Sequence, residues 1–594
     1  VGLGALERML EPYHFSSTRN FEFGARPRDF GWEPTTHEAV GWFRAVLMFV
    51  LQKIISGHKC SCQLKSLMAT NFRGILTKWG MLNELEELAE KIIECESWPD
   101  GWLCVREVIK DYAAKMQPEV LERIKRIENL LRPKDLLEQS KACVLLPQWS
   151  SFEFSEVVSG AEKKDFQTSF SKVDTISEEL GKVVAVTPDV FSQLLPDLVK
   201  DSHGRGVAFG IGLAQGATNL HEMWEVLKTA FTTAPELVQT PMVLRGFLIG
   251  ASQRSLKIVS SFLDSAVSDP ALGKVFPFLQ CAVEIGSRGG QRLLESLPLG
   301  IVPLWGYKYL CIGGVTASIP NAQLKPFLIE LSHRPSGCAV AIEILVMRIY
   351  PLQGASLSVP QEFISCGCEL LLRYDFTDVV PNDVNNICEI LKVCLASQGG
   401  GELAQKVCLN LIHSISDGQT SFSKCSRIIE ELFEATPLIA LDVFIPPKGD
   451  KRVRLLYEFW QDKGIALRRV QPAVLIEWAN EEPKIRFPEL AEAIDLFVSA
   501  DSSSSIAISP EALQLISAAP DKSIVLAGLE KSFDSISWCG SLSEAYDMRR
   551  SALRPLKNHL SEVVVSWACE WDANLIRRAE AERSRERAED ERFE

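Results

Sequence analysis

From about residue 162 to 571 the chain keeps repeating one kind of segment, apolar and helix-length, broken roughly every 15 to 20 residues by proline or glycine. Helices of that size, joined by short turns, bury their apolar faces only by stacking on one another, which specifies an elongated array and not one closed core. The break signals share a form. Thr187-Pro188-Asp189, Ala234-Pro235-Glu236, Asp269-Pro270-Ala271, Ile319-Pro320-Asn321, Val359-Pro360-Gln361, Val380-Pro381-Asn382 and Ser509-Pro510-Glu511 each precede apolar residues spaced at three and four. Proline at the first helical position has no amide hydrogen to leave unpaired, so this pattern marks helix starts. The period is irregular, about 35 to 45 residues per helix pair, nearer to HEAT repeats than to the strict TPR spacing. The expected fold is all-α: an α-solenoid of irregular HEAT/TPR-like helical hairpins with an N-terminal helical domain.

The expected layout follows from composition shifts. Residues 1–38 lack periodicity and read as an aromatic-rich linker or docking loop. Residues 39–147 form an N-terminal helical domain, in which Leu82 to Cys95 and Pro118 to Leu131 are amphipathic helices. The polar stretch Pro147 to Lys164 is the expected boundary, followed by the solenoid over 162–571. Residues 572–594 are a helix dense in both charges, read as an exposed terminal helix or as an oligomer contact. Lys182 to Val186 is β-branched but runs straight into a helix start, so it reads as a helix end.

At 594 residues the chain is too long for a single core, and 46% hydrophobic with 24% charged residues excludes wholesale disorder. The net charge of −14 argues against a nucleic-acid binder, which needs a basic stripe to track phosphates. The 16 cysteines are scattered, mostly inside apolar segments, as free thiols in a reducing cytosol would be, so the expected location is cytoplasmic. Ala39 to Ile55 carries Arg44 and Lys53 and is too short to span a bilayer, so no membrane contact is expected. The chain begins at Val1, not methionine, which leads us to expect a segment of a longer protein with an enzymatic domain upstream.

No catalytic constellation stands out. Gly181-Lys182 and Gly273-Lys274 lack the remainder of a phosphate-binding loop. Gly210 to Gly216 resembles a dinucleotide fingerprint, but its spacing is one residue too long and no strand precedes it, so close helix packing is the better reading. Zinc needs four convergent ligands; His58-Lys59-Cys60-Ser61-Cys62 and Cys366-Gly367-Cys368 read instead as loops with free thiols. His221-Glu222-Met223-Trp224-Glu225 lacks a second histidine. The chain is expected to need no cofactor or metal and to be no enzyme.

Binding candidates come from aromatic and arginine clusters, since Trp, Tyr and Arg dominate interface hot spots. Gly24 to Trp32 packs Arg26, Arg28, Asp29, Phe30 and Trp32 into nine residues. It forms either a docking surface or a loop pinned to its own domain. Leu304 to Tyr309 carries Trp305, Tyr307 and Tyr309 near Arg288 and Arg292. Exposed on a concave face these rings would be a partner site; buried between repeats they would be core.

Three stretches carry a resemblance: Gly24–Trp32; Trp478-Ala479-Asn480-Glu481-Glu482-Pro483 with Arg486-Phe487-Pro488; and Asp590-Glu591-Arg592-Phe593-Glu594. Together they resemble the C-terminal helical regions of antiviral STAND NTPases (the Avs group) and related anti-phage proteins. The resemblance implies a sensor arm that binds a phage structural protein, such as terminase or portal, and signals to an upstream effector or NTPase, with oligomerisation through the upstream domains. A constitutive HEAT-type scaffold for cellular complexes is the alternative. A third is a hidden enzyme built from distant residues such as His221 or His413.

Overall fold

The computed structural model describes residues 4, 6, 37–57, 61–77, 81–95, 97–145, 166–200, 205–377, 379–445, 464–499, 506–534 and 541–593. Among them the chain is almost wholly helical, as the apolar periodicity predicts, and it divides into two compact units, Val1–Glu284 and Ile285–Glu594.

The first unit opens with α1 (His37–Ile55), α2 (Ser61–Thr77), α3 (Leu82–Cys95), α4 (Pro99–Tyr112), α5 (Pro118–Leu131) and the short α6 (Leu136–Ser140). Leu85, Leu88, Ala89 and Ile92 put a buried stripe along α3 at the predicted helical spacing. Two tryptophans anchor α4 and each finds a partner for its indole N–H. Trp102 donates to Glu128 at 2.9 Å and Trp98 to the Lys65 carbonyl at 3.3 Å.

Next come α7 (Phe166–Ala185), α8 (Pro188–Leu198), α9 (Gly206–Gly216), α10 (Leu220–Thr233), α11 (Met242–Arg254), α12 (Leu256–Ala266) and α13 (Phe276–Gln280). The Lys182–Val186 run is a helix end, as expected. The expected boundary at 147–164 lies outside the described residues. On either side of it the chain is joined: the Arg205 amide donates to the Val144 carbonyl at 2.9 Å, and Cys143 Sγ lies 3.2 Å from Ser177 Oγ. The two compact units divide at Glu284/Ile285, inside the span expected to be one solenoid.

What sets α7, α9 and α11 apart is backbone-to-backbone packing. A Cβ added at Gly212 would stand under 3.0 Å from the Glu178 carbonyl oxygen, one at Gly216 equally close to that of Lys182, and one at Gly181 to that of Phe209. The next interface repeats the arrangement, with Gly210 against Val243, Gly246 against Val207 and Gly250 against Ile211. Only glycine permits helix axes to approach so closely. The pairs 178/212 with 182/216, and 207/246 with 211/250, advance together, so α7, α9 and α11 run parallel and the helices between them return. Arg254 closes the layer by donating to the Ala214 and Ala217 carbonyls, both at 2.6 Å, where α9 leaves its last acceptors unpaired.

The second unit contains α14 (Gly286–Leu299), α15 (Asn321–Ser332), α16 (Gly337–Gly354), α17 (Gln361–Arg373), α18 (Pro381–Leu395), α19 (Gly400–Ser416), α20 (Phe422–Ala435), α21 (Pro437–Phe444), α22 (Gly464–Leu467), α23 (Pro472–Glu481) and α24 (Pro483–Ala493). After a small antiparallel hairpin, β1 (Phe497–Ser499) with β2 (Ile506–Ile508), it continues through α25 (Pro510–Ala518), α26 (Lys522–Leu529), α27 (Leu542–Ala552), α28 (Arg554–Lys557) and α29 (Glu562–Phe593). From α15 to α20 each helix touches the next and the next but one, the signature of stacked hairpins. The repeat is written in its polar contacts: Ser287–Gln323, Lys325–Ser365, Glu430–Arg469, Asp442–Trp478 and Glu492–Lys531 are separated by 36, 40, 39, 36 and 39 residues. That is the predicted period. Among the described helices α16 alone is long and apolar enough to cross a membrane, and Ile342, Leu345 and Ile349 bury it as a core helix.

Five of the seven proline signals open the predicted helices, at Pro188, Asn321, Gln361, Pro381 and Pro510. Two do not. Pro235 leads only into a three-residue turn, Glu236–Val238, and Pro270 into the turn Leu272–Val275. Cys366 and Cys368 lie within α17, not in a loop, because the Pro360 start and buried Leu370 and Leu371 carry the helix through them. Nor is 572–594 a separate helix. Val564, Ala568, Leu575 and Ala579 continue one buried stripe along α29, and Arg578 pairs with Asp534 at 3.0 Å.

Candidate functional site

A groove of the first unit lies between α8 and α10. α10 has two faces. Leu220, Trp224, Leu227 and Phe231 recur at helical spacing and are buried. Val226, Thr229, Ala230 and Thr233, on the other side, face α8 across an open groove of about 660 Å³. Leu195, Pro196 and Val199 form the opposite wall, and Pro235 closes one end. Just beyond it Leu237 is fully exposed. The lining is therefore mostly apolar, the character of a surface that excludes water when covered.

Polar groups sit at the margins. Glu222 and Glu225 of α10 stand on one rim, and neither is held in an ion pair among the described residues. Lys200 on the other side lies 3.7 Å from Asp197. Asn219 fixes the start of α10, its side-chain oxygen accepting from the His221 and Glu222 amides at 3.0 and 3.3 Å. His221 packs edge-on to Phe262 with ring centres 5.0 Å apart. Among the described residues no group of three or more His, Cys, Asp and Glu side chains is placed to hold a metal ion.

On the other side of α10 the corresponding seam is filled. Trp224 lies between Phe262 of α12, stacked at 5.0 Å, and Phe247 of α11 at 6.1 Å. At its end Lys228 pairs with Asp269 at 2.9 Å. Burial pushes the Asp269 carboxyl up, but hydrogen bonds from the Leu272 amide, Lys228 and the Ala271 amide outweigh it and hold the group below its ordinary 3.8.

The sequence-predicted residues are dispersed. Arg26, Arg28, Asp29, Phe30 and Trp32 lie outside the described residues, as do His58, Lys59 and Cys60. The aromatic run at 304–309 splits. Tyr307 is fully buried, its hydroxyl 3.0 Å from Ser296 Oγ and its ring 5.9 Å from that of Phe327, so it is core and unavailable to a partner. Arg334, not a residue of α14, lies over its ring at 5.8 Å. Trp305 is 57% exposed and stands edge-on to Tyr309, which is half-buried. Within the 304–309 run, this pair offers a surface.

The resemblance-bearing segment 478–488 is a structural lock. Trp478 donates to Asp442 at 2.7 Å, and Arg486 lies 4.5 Å over its ring while donating to its carbonyl at 2.9 Å. These contacts fasten α23 and α24 onto α21 and commit Trp478 and Arg486 to the fold.

Gly210–Gly216, rejected as a nucleotide loop, packs helices as its small residues suggest. The groove itself was not anticipated. Its signal was the second face of α10, where small and β-branched residues alternate with acidic ones. Compared with family models, curated proteins and solved structures, the chain matches none.

Proposed function

We propose that this chain is a protein-recognition repeat and that the α8/α10 groove receives an amphipathic helix of its partner. The observation that carries this reading is an apolar groove, flanked by two helices, with the Glu222 and Glu225 carboxylates on one rim. An apolar helix face would cover Pro196, Val226 and Ala230, and Lys or Arg side chains beside it would meet Glu222 and Glu225. The anti-phage resemblance supplies the first partners to try, phage structural proteins such as terminase and portal, with signalling to an upstream domain as the sensor's output.

Fluorescence anisotropy with the full chain and a labelled leucine–lysine amphipathic peptide tests the groove directly. Binding should saturate, and Glu222→Lys with Glu225→Lys should weaken it about tenfold, a loss of about 1.4 kcal/mol, while gaining affinity for the leucine–glutamate counterpart. Trp305→Ala should leave binding unchanged. Equal binding by the charge-reversed chain, or loss of binding in the Trp305 variant alone, would overturn the proposal.

A further inference from the structure

A separate feature lies in the second unit, where α16, α17 and α18 bring four cysteines together. Cys366 and Cys368 flank Gly367 on α17, and Cys394 of α18 rests against that glycine. A Cβ at position 367 would stand 2.8 Å from Cys394 Sγ. The missing side chain is what lets the α18 sulfur reach the α17 backbone, where it lies 3.5 Å from the Ile364 carbonyl. Cys338 of α16 is occupied elsewhere, donating to the Leu370 carbonyl at 3.2 Å. Cys366, Cys338 and Cys394 are buried; Cys368 alone is partly open to solvent.

We infer that Cys368 and Cys394 form a site of oxidative modification, a dithiol that hydrogen peroxide converts into a disulfide joining α17 to α18. Cys394 Sγ packs on the α17 backbone at Gly367, one residue from Cys368, and the two thiols are not equivalent. A hydrogen bond from Cys394 is the main reason the Cys368 thiol is held at about 7, against an ordinary value of 9.0, with Lys325 adding a smaller favourable charge. The same bond and burial push Cys394 up, so it keeps its proton. Cys366, by contrast, is driven up to about 12 by burial. One S–H cannot serve both the Ile364 carbonyl and Cys368, and an anionic sulfur is the stronger acceptor.

The asymmetry assigns the steps. The Cys368 thiolate attacks one peroxide oxygen; the S–O bond forms, the O–O bond breaks and hydroxide leaves, giving a sulfenic acid. Cys394 then attacks the Cys368 sulfur. The S–S bond forms, the S–O bond breaks, and the Cys394 proton leaves with the departing hydroxyl as water. Peroxide is reduced and the two thiols are oxidised. A dithiol reductant reverses the change by exchange.

The full chain, reduced and freed of reductant, is treated with hydrogen peroxide, blocked with N-ethylmaleimide, digested and mapped by mass spectrometry. The expected product is one cross-linked peptide pair containing Cys368 and Cys394, lighter by two hydrogens and restored by dithiothreitol. Cys394→Ser should trap Cys368 as a dimedone-reactive sulfenic acid. Cys394 is buried and its replacement can disturb folding, so Cys368→Ser, at a part-exposed position, is the second arm: Cys394 should then stay alkylatable in the unfolded digest. Cys569, exposed on α29, is the internal control. A peroxide dose that oxidises Cys569 and leaves Cys368 and Cys394 reduced would overturn the inference, as would a disulfide from Cys368 to Cys366.

Discussion

The two seams on either side of α10 have the same foundation and opposite outcomes. Beneath both, parallel helices meet backbone to backbone through glycines, α7 with α9 and α9 with α11. Above the second, Trp224 and Phe262 stack and Lys228 reaches Asp269, so the outer helices are tied. Above the first, Leu195 and Val226 face each other across a groove of about 660 Å³. Close inner packing does not by itself decide whether an outer seam opens. The bulk of the side chains above it does.

Four changes bear on that contrast, in descending order of effect. Trp224→Ala should remove the filling of the closed seam and cost about 3–5 kcal/mol in denaturant unfolding. Trp224→Phe keeps a ring in the stack and deletes an indole N–H that finds no partner among the described residues, so its cost should be about 1 kcal/mol or less. A loss as large as that of the alanine variant would show that the stack is not what closes the seam.

Next, Gly212→Ala should destabilise by about 1–2 kcal/mol, although alanine in a helix interior usually gains up to about 1 kcal/mol over glycine. The sign is set by the Glu178 carbonyl, a backbone atom that cannot swing aside. Gly401→Ala is the counterpart. There a Cβ would meet only Ile439 Cδ1 at 3.4 Å, so stability should hold or rise slightly. If both substitutions act alike in thermal melts, close approach is not the reason for glycine in α9.

Filling the open seam with Ala230→Phe should leave unfolding nearly unchanged and weaken binding of a leucine–lysine peptide about tenfold, or about 1.4 kcal/mol. Undiminished binding would place the peptide elsewhere.

The smallest effect is electrostatic. Asp269 is held below its ordinary 3.8, so its contribution is present above that value and lost as pH falls through the lower folded value. Lys228 is raised above 10.5, chiefly by its hydrogen bond to Asp269, so its share is present below 10.5 and lost as pH rises through the higher folded value. Asp269→Asn should therefore cost up to about 1 kcal/mol at neutral pH and nothing in strong acid. A difference from the parent chain that persists at pH 2 would point to packing, not charge.

The fold was legible wherever one residue type has a single local consequence. Proline at the first turn opened α8, α18 and α25 where predicted. At Pro235 the same signal failed, because Leu237 does not bury and no apolar stripe follows in time to sustain a helix. Gly210, Gly212 and Gly216 read correctly as packing residues. Their counterparts Gly181, Gly246 and Gly250 lie some thirty to forty residues away, and only the three-dimensional register shows them as one system. The site was less legible. A groove is made by side chains that are small or distant, whereas composition draws the eye to aromatic clusters, and the 304–309 cluster proved half core. α29 was cut at 572 because charge density masked the buried stripe that Leu575 and Ala579 continue.

The contact of α7 with α9 has a mechanical side. Two backbones that touch without intervening side chains have nothing to unpack when one rolls on the other, so they form a bearing. A wedge driven between α8 and α10 would spread their far edges while Gly212 and Gly216 act as the pivot. Spin labels on Gln193 and Glu222 would register that roll as a lengthening distance, and the same lever would carry the motion outward along the stack.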